Sequence, residues 1–298
     1  MNTLNSKELS HRADLLYSML ESCTLCPRKC RVNRLKGEIG FCQNGNQALV
    51  ATYGPHFGEE RPLVGRGGSG TVFFSWCNLR CIYCQNYEIS QLGDGNPVSP
   101  EVLAFIFLSL KESGCHNINL VTPTHVIPFW VKALELIEEE TTLGIPIVYN
   151  TGGYESVEVL ELLEGIVDIY MPDFKYWDDE VGRKLSGCNN YSEVAQSALK
   201  EMHRQVGDLV IDENGLAQRG LLVRHLVLPG GLAGSEFIFD FISKEISKDT
   251  YINIMDQYRP CGPNLLPSPL NRRITPNEYN QAITAAKRAG LWRIDGMF

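Results

Sequence analysis

Residues 71–84 read TVFFSWCNLRCIYC, a short β-rich run that is followed at once by three cysteines. Five further runs of this kind occur along the chain, and helical patterns separate them. All six are near-continuously apolar, as expected for parallel strands that are buried on both faces. The six runs are Thr71–Ser75, Ile118–Thr122, Pro146–Asn150, Ile166–Met171, Leu221–Leu228 and Tyr251–Met255. The alternation predicts an α/β protein, either an incomplete barrel or an open doubly wound sheet.

Helix signals occupy the segments between these runs and both ends of the chain. Residues 5–21 have an amphipathic pattern, with one apolar stripe formed by Leu9, Ala13, Leu16, Tyr17 and Leu20. Ser99 stands before a proline and predicts a capped helix start. Thr275 and Glu278 form a capping-box pattern at the start of the last helix.

The chain has 298 residues, a net charge of −8 and ten cysteines. The acidic balance argues against general nucleic-acid binding, which needs a basic face. No apolar run approaches the ~18 residues that a membrane helix needs, and residues 1–5 lack the features of a signal peptide. We therefore expect a cytoplasmic protein. Since reducing cytosol disfavours disulfides, the cysteines indicate metal binding or catalysis.

Cys77, Cys81 and Cys84 follow the first predicted strand with the spacing C-x3-C-x2-C. Active sites of α/β barrels are built at this end of the strands. Three thiolates so close together suit a cubane iron–sulfur cluster and leave one iron without a protein ligand. Zinc is the alternative metal, but it would need a fourth ligand, and no histidine lies nearby in the sequence.

On these residues the chain resembles the radical S-adenosylmethionine (SAM) superfamily, over about residues 66–260. It is similar in particular to pyruvate formate-lyase activating enzymes and to activase-like proteins with an extra N-terminal cysteine motif. The resemblance implies a partial (β/α)6 TIM-like barrel and a [4Fe–4S] cluster on Cys77, Cys81 and Cys84 that binds SAM. One-electron reduction then cleaves SAM into methionine and a 5′-deoxyadenosyl radical, which abstracts hydrogen.

The resemblance also assigns SAM contacts to residues near the first two strand ends. Tyr83, just before the third cysteine, is expected to lie on the adenine side. Thr122 and Thr124 stand where superfamily members usually carry a Gly-Gly-Glu-like motif that receives the SAM amino group. The glycines and the acid are absent, so the two threonines are the expected substitutes.

Three further strand ends carry polar residues that the resemblance places in the same site. Asn150 begins a polar turn that approaches SAM in activases, and Asp173 and Lys175 match the Asp-x-Lys signature of that group. A cation beside the methionine carboxylate would offset its charge. Arg224 and His225 lie in a segment like the fifth-strand Arg…Pro-Gly segment. Because they are adjacent in a strand, only one of them can face the barrel interior.

A second cysteine group precedes the barrel and has the spacing C-x2-C-x3-C-x11-C, formed by Cys23, Cys26, Cys30 and Cys42. Four thiolates could hold structural zinc or a second iron–sulfur cluster. Neighbouring basic residues would offset the negative charge of either site; they are Arg28, Lys29, Arg31, Arg34 and Lys36. Of the remaining cysteines, Cys261 is expected to be a plain free thiol, and His125 a hydrogen-bonded core or loop histidine.

The sequence thus predicts an N-terminal helix and Cys-rich metal module over residues 1–65, and a radical SAM barrel with a C-terminal helix over residues 66–298. The nearest family function is activation of a glycyl radical enzyme, with SAM as cosubstrate and a flavodoxin- or ferredoxin-like electron donor. Radical modification of a small molecule is the alternative. A non-catalytic electron-transfer or scaffold protein that holds iron–sulfur or zinc is the alternative of another class.

Overall fold

A computed structural model of the chain describes residues 4, 6–262 and 264–297. Its strands are β1 Ala48–His56, β2 Ser69–Phe74, β3 Asn96–Val98, β4 Ile118–Val121, β5 Ile147–Thr151, β6 Ile169–Pro172, β7 Val210–Ile211, β8 Ala217–Leu226 and β9 Tyr251–Met255. Its α-helices are α1 Ser6–Ser18, α2 Arg61–Val64, α3 Tyr87–Leu92, α4 Pro100–Glu112, α5 Ile127–Glu140, α6 Val157–Leu162, α7 Asp179–Ser186, α8 Tyr191–Val206, α9 Ser235–Phe241 and α10 Pro276–Ala289.

One sheet carries the fold. Strands β2, β4, β5, β6, β8 and β9 pair in this order and are all parallel, so their carboxyl ends lie at one edge. β1 extends the sheet antiparallel to β2, with β3 beyond it, and β7 pairs antiparallel with β8. The six parallel strands coincide with the six predicted runs, and the partial barrel is confirmed.

The two faces of the parallel strands are both apolar, which explains why the runs lack alternation. Side chains of one parity form an inner core, which includes Val148, Ile169, Met171, Leu222 and Tyr251. The other parity packs against the helices in a larger core. Towards the carboxyl ends the side chains that face the interior become polar. Asn150 lies two residues after Val148 and Arg224 two residues after Leu222, so each points to the same face as the apolar residue before it.

The opposite end of the barrel is closed by the segment between β1 and β2. Leu63 of α2 is fully buried within the inner core. Just before α2, Glu60 accepts a hydrogen bond from Asn253 Nδ2 at 2.9 Å between Glu60 Oε1 and the amide nitrogen. These contacts fill the barrel interior at the amino ends of the strands.

The predicted helix signals are confirmed in the described residues. Leu9, Ala13, Leu16 and Leu20 are buried, and the ring of Tyr17 packs edge-on against Phe129 of α5 at 5.5 Å between centroids. Asn5, the first residue of the predicted helix, lies outside the described residues. Ser99 caps α4, and α10 begins with the expected capping box.

β1 belongs to the residues that the sequence assigns to the N-terminal module, yet it pairs along its length with β2. The division at residue 65 stays a prediction. No helix in the described part of the chain is long and apolar enough to cross a membrane.

Candidate functional site

The three cysteines of the C-x3-C-x2-C pattern lie in the loop that joins β2 to α3, at the carboxyl edge of the barrel. Trp76, immediately before Cys77, has φ of +71°. A bulky residue in this region is strained, and such strain concentrates where a loop must present ligands in a fixed geometry.

Each thiol of this loop has a polar neighbour. The amide of Leu79 donates to Cys77 Sγ at 3.3 Å, Ser186 Oγ lies 2.9 Å from Cys81 Sγ, and Ser90 Oγ lies 3.2 Å from Cys84 Sγ. Burial raises the pKa of the Cys77 and Cys81 thiols. A bound metal reverses this preference, because coordination deprotonates a thiol.

Tyr83 is buried under the cysteine loop. Its hydroxyl is hydrogen-bonded to that of Tyr176, and its ring packs edge-on against Tyr258 at 5.7 Å. Tyr176 in turn contacts Ser186, the neighbour of the Cys81 thiol, at 2.8 Å between hydroxyl oxygens. These contacts hold the loop to the barrel. The adenine contact of Tyr83 stays a prediction.

A network of two cations and one carboxylate occupies the barrel interior beside the cysteines. Lys175 Nζ lies 2.5 Å from Asp173 Oδ2, and Arg224 Nε lies 2.9 Å from Asp173 Oδ1. Arg224 Nη2 also donates to Asn150 Oδ1 at 2.7 Å. The structure thus brings together the predicted residues of three strand ends.

The charges in this network determine the pKa of Asp173. Burial alone would raise it, but the Arg224 guanidinium and the Lys175 ammonium together hold the pKa of Asp173 below its ordinary value. Lys175 also lies near enough to Cys81 for its charge to lower the pKa of that thiol against the effect of burial. The site therefore combines soft sulfur ligands with a fixed positive charge.

Sequence reasoning missed two acids that face this network from the closed end. Glu59 Oε2 lies 3.9 Å from Arg224 Nη1, and burial raises the pKa of Glu59. Glu60 is its neighbour and is bonded to Asn253. Their segment enters the barrel from the end opposite the strand-end motifs, so no spacing in the sequence connects them with Arg224.

The two predicted threonines have different surroundings. Thr122 has φ of +59°, and its amide donates to the Asn150 carbonyl at 2.8 Å. Thr124 is buried and donates from its hydroxyl to Glu155 Oε1 at 2.6 Å. Thr122 therefore lies beside Asn150 at the end of β5, whereas the hydroxyl of Thr124 is hydrogen-bonded to Glu155. A role of either one in binding SAM stays a prediction.

Glu155 is a buried carboxyl that the sequence analysis did not single out. Burial raises its pKa to about 7, although hydroxyls of Thr124, Thr151 and Tyr149 donate to it. A raised carboxyl pKa means that the folded protein holds the proton more tightly than the unfolded chain. This group therefore contributes most stability below its ordinary pKa and loses it as pH rises to about 7.

We expect Glu155→Gln to flatten that pH dependence. From the shift, the unfolding free energy of the parent should fall by about 2–3 kcal/mol relative to the variant between pH 5 and pH 8. The measurement is the difference between the anaerobic urea midpoints of the two proteins across this range. A constant difference would show that Glu155 does not titrate there.

The turn after β5 depends on glycine where it approaches Asp173. Gly153 has φ of +79°, and a Cβ at this position would lie 2.2 Å from the Asp173 carbonyl oxygen. A Cβ at the neighbouring Gly152 would lie 2.8 Å from Leu79 of the cysteine loop and 3.5 Å from the Lys175 side chain. The close packing of this turn therefore fixes the cysteine loop and the charged network together.

We expect Gly153→Ala to displace Asp173 and to weaken SAM binding measured by anaerobic calorimetry. Gly114→Ala is the matched control, because Gly114 has φ of +84° and no atom within 4 Å of an added Cβ. The control should lower the unfolding free energy by only ~1–2 kcal/mol, because alanine is strained in the left-handed region. Equal SAM affinity in the two variants would contradict the role given to the turn.

The ambiguity between Arg224 and His225 is resolved by the strand pleat. Arg224 faces the interior, and His225 faces the helices, where its ring nitrogens lie 2.8 Å from the Phe174 carbonyl oxygen and from Ser235 Oγ. Burial lowers the pKa of His225 to about 4. His125 is likewise buried, with Nε2 at 2.7 Å from the Ser75 carbonyl oxygen, as expected for a core histidine.

Cys261 lies beside the first cysteine group. It lines a surface cavity of about 520 Å³ together with Cys84, Gln85 and Leu92. Gly262 approaches the Ile82 carbonyl so closely that a Cβ there would lie 2.7 Å from the oxygen. The segment that follows β9 therefore rests on the cysteine loop.

The four N-terminal cysteines are also brought together. Cys23, Cys26, Cys30 and Cys42 line one small cavity, with Arg34 and His125 among its other lining residues. The cavity lies between the irregular segment after α1 and the start of α5.

Comparison with known proteins finds relatives by sequence and by structure. An uncharacterized protein of Methanocaldococcus jannaschii is 34% identical over 293 residues, which cover 95% of this chain and 79% of that protein. The pyruvate formate-lyase-activating enzyme of Clostridium pasteurianum is 30% identical over 138 residues, 44% of this chain and 56% of that enzyme. A crystal structure of SuiB from Streptococcus suis bound to precursor peptide SuiA aligns with a TM-score of 0.47 and 13% identity, over 74% of this chain and 46% of that chain.

The model of the Radical SAM superfamily matches residues 71–211. This range runs from β2 into β7 and contains the three cysteines of the β2–α3 loop as well as Asp173 and Lys175. With a relative that is 34% identical over almost the whole chain, this match establishes that the chain belongs to the radical SAM superfamily.

Proposed function

We propose that this chain is a radical SAM enzyme whose [4Fe–4S] cluster is held by Cys77, Cys81 and Cys84. The observation that carries the proposal is the convergence of three thiols with the Asp173–Lys175–Arg224 network at the carboxyl edge of one parallel barrel. When bound there, the cluster would supply the electron that splits SAM into methionine and a 5′-deoxyadenosyl radical.

The residues present fit such a cluster and its cosubstrate. Soft sulfur ligands are what iron–sulfur clusters require, and three of them leave one iron free for SAM. Lys175 and Arg224 offer positive charge to a carboxylate in the same site. Asp173 fixes both cations, so their positions are set before a ligand arrives.

The barrel itself protects a reactive species. At its far end Leu63 is fully buried and Glu60 is hydrogen-bonded to Asn253, which limits the entry of water from that end. In radical chemistry the cofactor supplies the reactive group, and the protein excludes water and side reactions. Such clusters also need a reducing compartment, in agreement with the predicted cytoplasmic location.

The proposed hydrogen donor is a glycine of a partner enzyme, so that the chain would act as an activase. The similarity to the activating enzyme of Clostridium pasteurianum supports this choice. The proposed reductant is a flavodoxin- or ferredoxin-like protein, which would supply one electron for each SAM molecule cleaved. A small-molecule hydrogen donor is the alternative outcome of the test below.

The experiment is anaerobic reconstitution of the full chain with iron and sulfide, followed by SAM and dithionite. We expect 5′-deoxyadenosine and methionine in equal amounts. Absence of 5′-deoxyadenosine from a fully reconstituted chain would overturn the enzyme function.

The substrate needs a second measurement. An activase should produce a stable glycyl radical on a partner polypeptide, detected by electron paramagnetic resonance. Deuterium transfer from a labelled small molecule into 5′-deoxyadenosine, without any such partner signal, would overturn the activase assignment.

A further inference from the structure

The N-terminal cysteines form a prepared ligand cage that the proposed SAM chemistry does not use. All four line the same small cavity, together with the apolar side chains of Leu25, Val32 and Phe41. They come from an irregular segment of 20 residues, 23–42, in which one short 3-10 turn occurs. Thiols from such a loop would not face one cavity without a strong local constraint.

That constraint is visible in the backbone. Lys29 and Arg31, on either side of Cys30, have φ of +41° and +58°, and Gln43, after Cys42, has φ of +61°. The only other non-glycine residues with positive φ in the described residues are Trp76 and Thr122, which follow β2 and β4 at the edge of the proposed SAM site. Strain of this kind persists where the surroundings fix a ligand clamp.

A backbone amide donates a hydrogen bond to one of the four sulfurs. The amide of Phe41 donates to Cys30 Sγ at 3.4 Å. Gly40 permits this approach, because a Cβ there would lie 3.0 Å from the same sulfur. Amide donors to sulfur are one of the means by which proteins tune iron–sulfur clusters.

A buried cation lies at the same cavity. Arg34 is 1% exposed, and its Nη1 lies 3.9 Å from Cys23 Sγ while it donates to the His125 carbonyl at 2.8 Å. Its Nη2 has no hydrogen-bond partner among the described residues. A buried guanidinium needs negative charge nearby, and a metal centre with four thiolates would provide it.

The surroundings of the four thiols suit an iron–sulfur cluster. Apolar side chains and the buried cation Arg34 line the cavity with them, and an amide donates to one of the sulfurs. The cation offsets the negative charge of the thiolates, and the amide is a donor of the kind that tunes such clusters.

We propose that Cys23, Cys26, Cys30 and Cys42 bind a second [4Fe–4S] cluster in which every iron has a protein ligand. The site stands on its own residues and does not rest on the proposed SAM chemistry. With no free iron, this cluster cannot bind SAM, and its chemistry is limited to holding or passing an electron.

The position of the cage connects it with the first site. Arg28 donates to the carbonyls of Asn78 at 3.0 Å and Ser186 at 3.3 Å, and Ser186 Oγ also contacts the Cys81 thiol. Arg80 donates to the Phe41 carbonyl at 2.8 Å. The two cysteine groups are therefore fixed in one rigid unit.

The test is metal and sulfide analysis of the anaerobic full chain and of Cys77→Ala/Cys81→Ala/Cys84→Ala. We expect about eight irons in the parent and about four irons with about four sulfides in the triple variant. The reduced triple variant should show a cluster signal by electron paramagnetic resonance that SAM does not change. Loss of all iron from the triple variant, or one zinc per chain in its place, would overturn the proposal.

The converse variant, Cys30→Ala/Cys42→Ala, should keep about four irons and a signal that SAM does change. Retention of about eight irons would overturn the proposal. If this variant does not fold, the triple variant decides alone. Cys115→Ala removes a buried cysteine that packs beside Gly70 at the amino end of β2, and it should keep the iron content of the parent. The triple variant could hold four irons while the parent makes no 5′-deoxyadenosine. This result would refute the enzyme function but would support the second cluster.

Discussion

Cys81→Ala is expected to reduce 5′-deoxyadenosine formation to the background of the reductant-only control. Its thiol is the central one of the three and has contacts with Ser186 and with the charge of Lys175. Without this sulfur a cubane has two protein ligands in the loop, which do not hold it in a defined position. The measurement is product formation in the reconstituted, reduced protein.

The matched control is Cys115→Ala. Cys115 is buried, like the cysteines of the loop, but it packs beside Gly70 at the amino end of β2. Its replacement should leave product formation close to that of the parent. Undiminished 5′-deoxyadenosine from Cys81→Ala would show that the cluster is held elsewhere.

The parallel barrel could be predicted because its strands are buried on both faces. Such strands are continuous apolar runs, and each of the six is visible without knowledge of its partners. β1 was missed since it contains Gly54 and Pro55 and lies half exposed at the side of the barrel. β7 has two residues, too few to give a pattern.

The candidate site could be predicted where its residues follow a strand. Parallel strands bring their carboxyl ends to one edge, so Cys77, Asp173 and Lys175 were expected to meet, and they do. Whether Arg224 or His225 faces the interior depends on which alternate residues of the strand point inward. An apolar run without alternation does not show this. Glu59 could not be found, because it reaches Arg224 from the far end of the barrel.

Asp173→Asn is expected to lower the unfolding free energy by about 3–5 kcal/mol, because it leaves two buried cations without their shared carboxylate. The side chains of Asp173, Lys175 and Arg224 are 15%, 16% and 18% exposed, so solvent screens them little. The carboxylate of Glu59 lies 3.9 Å from Arg224, too far to replace two close ion pairs. Anaerobic urea unfolding measures the effect.

Glu180→Gln is the control for loss of an ordinary ion pair. Glu180 lies 2.9 Å from Arg183, but both side chains are at least half exposed, and solvent leaves such a pair with little effect on stability. Similar losses in Asp173→Asn and Glu180→Gln would contradict the view that the barrel network is a buried charge cluster.

A double variant separates stability from binding. Asp173→Asn with Lys175→Met removes one of the two cations that lose their carboxylate, so part of the lost stability should return, while SAM affinity should stay low because a cation of the site is gone. The neighbouring cations hold the pKa of Asp173 in the folded protein below its ordinary value. Asp173 therefore stabilises the fold fully at pH values above its pKa in the unfolded chain. This stabilisation is lost as the pH falls through the lower pKa of the folded protein. The difference between parent and Asp173→Asn should therefore be constant from pH 6 to pH 8. A double variant that recovers SAM binding together with stability would show that the network is structural only.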